Sequence, residues 1–153
     1  VIYMGEATYY LKANNCTEEA LENIRKFILE ACEAQDYWQD NRDMEVAGKR
    51  KEFWSKFGKK FPLTSKYLKQ TKSYDNKILY GGDCNNDLAG YLDFGDKEDA
   101  EDNLELYDEQ LLYNAYVWHF ANWDGFADFL KSEFGLTKVR WISDEYMNPF
   151  DVL

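Results

Sequence analysis

The sequence predicts an α+β domain, and three observations carry that prediction. Thr8–Ala13 (TYYLKA) alternates in the manner of a strand and is followed by an amphipathic helical pattern. Asn103–Met147 has a strand–helix–strand rhythm and holds three of the five tryptophans and the only histidine. Between them lies a lysine-rich segment whose pattern is helical but whose charge differs from that of the rest of the chain.

In the first strand Tyr9, Leu11 and Ala13 alternate with Thr8, Tyr10 and Lys12, and Asn14-Asn15 supplies turn chemistry at its end. Thr17 is placed to cap a helix. Glu18 and Glu19 follow in its first turn, where the helix dipole favours negative charge. Leu21, Ile24, Phe27, Ile28, Ala31 and Cys32 then recur at i, i+3, i+4 spacing, which gives one apolar stripe to about Trp38.

Residues 40–76 read as a basic helical insertion, with helical pieces near Lys49–Phe57 and Ser65–Lys72 separated by Gly58 and Pro62. Lys77–Tyr80 and Ala89–Phe94 read as strands, and Gly95–Asn103 as a solvated acidic loop. Leu104–Tyr107 and Leu111–Phe120 read as extended. Both faces of the second run are apolar, as a central strand requires. Asn122 is placed to cap a helix over Asp124–Phe134 with Gly135 at its C-terminal stop, and Thr137–Ile142 is the last strand.

The order is that of a ferredoxin-like βαββαβ sandwich: a four-stranded antiparallel sheet and two helices, with the basic insertion after the first helix. The 153 residues are expected to form a single domain. A hydrophobic content of 45% excludes a disordered chain. No apolar run reaches the roughly 20 residues needed to span a bilayer, and VIYMGEATYY lacks the regions of a signal peptide. Three widely spaced cysteines, Cys16, Cys32 and Cys84, give no disulfide framework, so a cytoplasmic protein is expected.

Charge is the most distinctive non-structural feature. The formal net charge is −11, yet Lys49–Lys72 holds nine Lys/Arg against Glu52 alone, so the remainder carries −19. Asp93–Glu109 concentrates nine carboxylates around one lysine. Such a surface repels nucleic acid and anionic membrane and attracts a basic protein surface.

Motifs for catalysis are sparse. No phosphate loop, dinucleotide fingerprint, nucleophile elbow or zinc spacing occurs, and neither a cofactor nor a metal is expected. Asp83, Asn85 and Asp87 resemble the start of a calcium loop, but Leu88 and Phe94 stand where its glycine and last glutamate belong. A nucleophile pair would require His119 beside Cys16, Cys32 or Cys84, and a carboxylate pair would require Asp144 and Glu145. The simpler readings are a hydrogen-bonded structural histidine, buried cysteines and a solvated strand end.

Residues 117–147 (VWHFANWDGFADFLKSEFGLTKVRWISDEYM) look like the C-terminal βαβ of ferredoxin-like domains found in phage- and plasmid-borne proteins of poorly defined activity. The features are an aromatic strand with Trp118 and Trp123, a helix with Phe126 and Phe129, a Phe134-Gly135 stop and a strand leading to Asp144-Glu145-Tyr146. The resemblance covers about a fifth of the chain. It implies a mobile-element setting and transfers no catalytic residue.

The first expectation is therefore a non-enzymatic module that binds a protein with a basic surface through Asp96, Glu98, Asp99, Glu101 and Asp102. A phage-type inhibitor of a host nucleic-acid enzyme, of the anti-defence (anti-CRISPR) kind, fits it. The second is a nucleic-acid or nucleotide binder. In it Lys56, Lys59, Lys60 and Lys66 neutralise phosphates while Trp54, with Phe53, Phe57, Phe61 and Tyr67, stacks on bases. Against it, those aromatics also suit packing of the insertion onto the domain. The third is a small enzyme using Cys84 and His119 or Asp144 and Glu145.

Overall fold

The computed structural model describes residues 8–41, 49–71, 94, 97–100, 102–116 and 123–143. Along the chain these form β1 (Thr8–Asn14), α1 (Glu18–Asp40), α2 (Arg50–Lys60), α3 (Pro62–Gln70), the single turn α4 (Lys97–Ala100), β2 (Leu104–Tyr107), β3 (Gln110–Tyr116), α5 (Trp123–Phe134) and β4 (Thr137–Ser143). The chain is α+β, with one antiparallel sheet in the order β2-β3-β1-β4.

The interior strands are β1 and β3; β3 is apolar on both faces, whereas one face of β1 carries Lys12. Leu11 pairs with Tyr113 and Trp141, and Leu104 also lies opposite Tyr113. These residues, with Ala13 and Leu111, belong to the face that packs against the helices. On the other face Lys12 lies between Leu112 and Arg140 and is itself wholly buried.

Helix α1 starts where the sequence indicates. The Thr17 hydroxyl oxygen accepts from the Ala20 amide at 3.1 Å, satisfying one of the orphan donors of the first turn. The helix runs 23 residues and ends two beyond Trp38. Its stripe makes Phe27 the hub of an aromatic core. That ring lies 5.3 Å from Tyr67, 5.6 Å from Phe94 and 5.0 Å from Phe129, centroid to centroid. Full burial of each such ring contributes about 1.5–3 kcal/mol, and edge-to-face pairing adds to that.

The basic segment is helical, with boundaries that differ from the pattern. Helix α2 continues through Gly58 to Lys60, and α3 begins at Pro62. Pro62 opens α3 because a first-turn residue needs no amide hydrogen and its fixed φ suits a helix start. Gly135 stops α5 at φ +70°, and its amide donates to the Lys131 carbonyl at 3.1 Å.

Two readings change. Lys97–Ala100, expected within a solvated loop, forms a helical turn, and Lys97 Nζ lies 2.7 Å from Glu33 Oε1 on α1. A loop-like composition gives no sign of a charge partner more than sixty residues away. The middle pair of strands is the tight hairpin β2–β3. The expected strand over Lys77–Tyr80 lies outside the described residues. Of Ala89–Phe94 only Phe94 is described; it is buried and belongs to no strand.

Candidate functional site

The residues singled out for the second expectation divide sharply by burial. Phe53, Trp54, Phe57, Phe61 and Tyr67 are all 4% exposed or less. Trp54 packs edge-on to Phe53 at 4.8 Å and to Phe57 at 5.0 Å, and Tyr37 of α1 stacks on Phe53 at 5.5 Å. Their rings fasten α2 and α3 to α1, and presenting them to a base would mean opening this cluster.

The lysines of the same helices are exposed. Lys56 pairs with Glu52 at 3.1 Å, and its charge holds the Glu52 carboxyl below the usual range, first through that hydrogen bond. Lys66 pairs with Glu133 of α5 at 2.6 Å. Lys60 Nζ lies 5.2 Å from the centre of the Tyr37 ring. Lys59 is exposed with no described partner.

The acidic residues of the first expectation are only partly described. Glu98 and Asp102 are exposed, Asp99 lies in α4, and Asp96 and Glu101 fall outside the described residues. Cys84, His119, Asp144 and Glu145 fall outside them too. Cys16 and Cys32 are buried. Burial pushes the Cys16 thiol up to about 11, so it stays protonated near neutrality and is no nucleophile there. Among the described residues no group of three or more His, Cys, Asp and Glu is gathered for a metal, and no helix is long and apolar enough to cross a membrane.

An open groove of about 660 Å³ lies between α1 and β2. One wall carries Glu18, Leu21, Glu22 and Arg25, which share a face of α1 at i, i+3, i+4, i+7; the other is strand β2. Leu21 and Leu104 are buried at its floor, whereas Glu18, Glu22 and Glu105 are exposed. Arg25, the single cation among the described lining residues, lies 3.8 Å from Glu22. Tyr107 is 62% exposed, the one large apolar side chain so placed among the described residues.

The groove is held in shape from its ends. The Cys16 amide, just before α1, donates to the Glu109 carbonyl in the β2–β3 turn at 2.9 Å. The turn residues Asp108 and Glu109 have φ of 47° and 60°, the left-handed pair a two-residue hairpin requires.

Sequence reasoning missed this site. The sequence assigns Glu18 to the helix dipole and Glu105 to the acidic run, and it does not single out Glu22. The signal was available in the i, i+4 repeat Glu18–Glu22, but only the sheet order places it beside Glu105. Comparison with protein-family models, curated proteins and solved structures gives no match to the chain.

Proposed function

We infer that this protein is a non-enzymatic binding module that engages a protein partner with a basic surface. The observation that carries the reading is the groove between α1 and β2, whose floor is apolar and whose rim holds three exposed glutamates against one arginine. Apolar burial supplies affinity, and the acidic rim selects a basic partner and steers its approach. The −19 carried outside Lys49–Lys72 strengthens the same field. A basic surface of this kind is common on enzymes that handle nucleic acid, which favours the reading of a phage-type inhibitor of such an enzyme. The scaffold is read as ferredoxin-like, supported by strands β1 and β3 at the centre of an antiparallel sheet with β2 and β4 at its edges.

The nucleic-acid reading keeps one supporting observation, the exposed lysines Lys49, Lys51, Lys56, Lys59, Lys60, Lys66 and Lys69 on or beside α2 and α3. In that reading they contact phosphate alone, because the neighbouring aromatics are committed to the core.

The test is an affinity capture from candidate host lysate with nuclease present. It compares the parent protein, a Glu18→Lys/Glu22→Lys/Glu105→Lys variant and a Lys56→Glu/Lys59→Glu/Lys60→Glu/Lys66→Glu variant. The reading expects a nucleic-acid enzyme that is retained by the parent and the lysine variant, lost by the glutamate variant, and inhibited when the parent is added back. Loss with the lysine variant alone, or identical retention by all three, overturns it.

A further inference from the structure

Among the described residues, the outer edge of β2 is a hydrogen-bonding rail that no strand covers. In the β2–β3 hairpin Tyr107 faces Gln110 across a two-residue turn, and Asn103 accepts from the Asn114 amide at 2.9 Å. Paired positions alternate between hydrogen-bonded and non-hydrogen-bonded. Asn103, Glu105 and Tyr107 therefore direct their main-chain groups towards β3, and Leu104 and Leu106 direct theirs away from it. No described strand pairs with that side. An edge with free donors and acceptors is a template for another strand.

The two walls decide what such a strand must be. On the helix side an added strand would meet Leu21, Leu104 and Leu106 below and Glu18 and Glu22 above. On the opposite side its residues would lie beside Glu105 and the exposed Tyr107 ring. Side chains of a strand alternate between these environments. A small apolar residue suits the helix side, and Lys or Arg suits the other, where a carboxylate and an aromatic face both attract a cation. An acidic or uniformly apolar segment leaves Glu105 without a basic partner.

Building on the binding function inferred above, we propose that β2 recruits an extended segment of the partner as a fifth strand, in which apolar and basic residues alternate over about four to six positions. Four residues of β2 give a rail of roughly 13 Å, which sets that length. Leu104 and Leu106 hold the segment through main-chain hydrogen bonds. Glu105 and Tyr107 read its basic side chains, and Leu21 and the α1 glutamates read the side turned towards the helix. This is strand addition, in which the backbone gives affinity and alternate side chains give specificity.

The test uses three capped hexapeptide probes: Lys-Val repeated three times, Glu-Val repeated three times, and the Lys-Val peptide with its central valine replaced by proline. Amide exchange and chemical shifts of the full chain are followed by NMR. In the free protein the Leu104 and Leu106 amides should exchange fast while those of Glu105 and Tyr107 are protected. The Lys-Val peptide should slow the Leu104 and Leu106 amides at least tenfold. The proline and Glu-Val peptides should bind at least tenfold more weakly, and Glu105→Lys should weaken the Lys-Val peptide by a similar factor. Protection of Leu104 and Leu106 before any peptide is added, or equal binding of the proline peptide, overturns the strand-addition proposal. Shifts that map away from β2 but vanish in high salt overturn it while leaving the acidic-module reading standing. No salt-sensitive binding of the Lys-Val peptide at any site removes both.

Discussion

Glu30 on α1 caps a helix that is not its own. One carboxylate oxygen accepts from both the Thr64 amide and the Thr64 hydroxyl, each at 2.6 Å, in the first turn of α3. Thr64 is wholly buried, so neither donor has water as an alternative. Glu30→Ala should destabilise the fold by about 1–3 kcal/mol, because it strands two donors and removes a negative charge from a helix start. Denaturant midpoints check this. Combining it with Thr64→Val should cost less than the two single losses together, since both remove the hydroxyl–carboxylate bond while only Glu30→Ala removes the bond to the amide.

The aromatics and lysines of α2 should separate in mutagenesis. Phe57, with no exposed surface, lies among Trp54, Phe61 and Tyr37. Phe57→Ala should cost about 3–5 kcal/mol. Lys59→Ala, on the exposed side, should stay within about 0.5 kcal/mol. Thermal unfolding of both variants decides it. A Phe57→Ala protein as stable as the parent would mean that the ring does not hold the insertion to α1.

Cys16 should make stability fall at alkaline pH. Its thiol is raised by burial from 9.0 to about 11. Below pH 9 both folded and unfolded chains keep the proton, so the contribution is fully present. Between pH 9 and 11 the unfolded chain releases the proton and the folded chain retains it, so stability declines, by on the order of 2 kcal/mol in all. Urea midpoints of the parent and Cys16→Ala, compared from pH 8 to 10.5, should converge as pH rises.

The hairpin turn should be improvable. Glu109 holds φ 60°, a region that costs a residue with a Cβ about 1–2 kcal/mol and glycine little. Because its contact with Cys16, just before α1, runs through the backbone carbonyl, Glu109→Gly keeps that bond. Calorimetry should show Tm raised by about 2–4 °C.

What the sequence disclosed follows from the range of the interactions involved. Thr17 as a cap, Gly135 as a stop and the Leu21–Cys32 stripe are local events, and each is where the pattern puts it. Both apolar faces of the Leu111–Phe120 run indicated an interior strand, and β3 is one over the part of that run that is described, to Tyr116. Lys97–Ala100 escaped because its tie to Glu33 crosses more than sixty residues. The insertion was legible as basic and helical. Whether its rings face out or in depends on Tyr37, which belongs to another helix. The groove was illegible for the same reason: Glu22 and Glu105 line one groove only when α1 is laid beside an edge strand.

The sharing of α1 between two aromatic clusters also bears on how such a chain can change over generations. Phe27 serves the ring cluster with α3 and α5, and Tyr37, ten residues on, serves the one with α2. Glu30 between them is committed to α3. The basic helices are therefore not a cassette that recombination can lift out. Their removal would bare Tyr37 and leave Glu30 without its donors. Their outward lysines, by contrast, are free to drift one residue at a time, so variation in this segment should accumulate as changes of charge over a fixed set of rings.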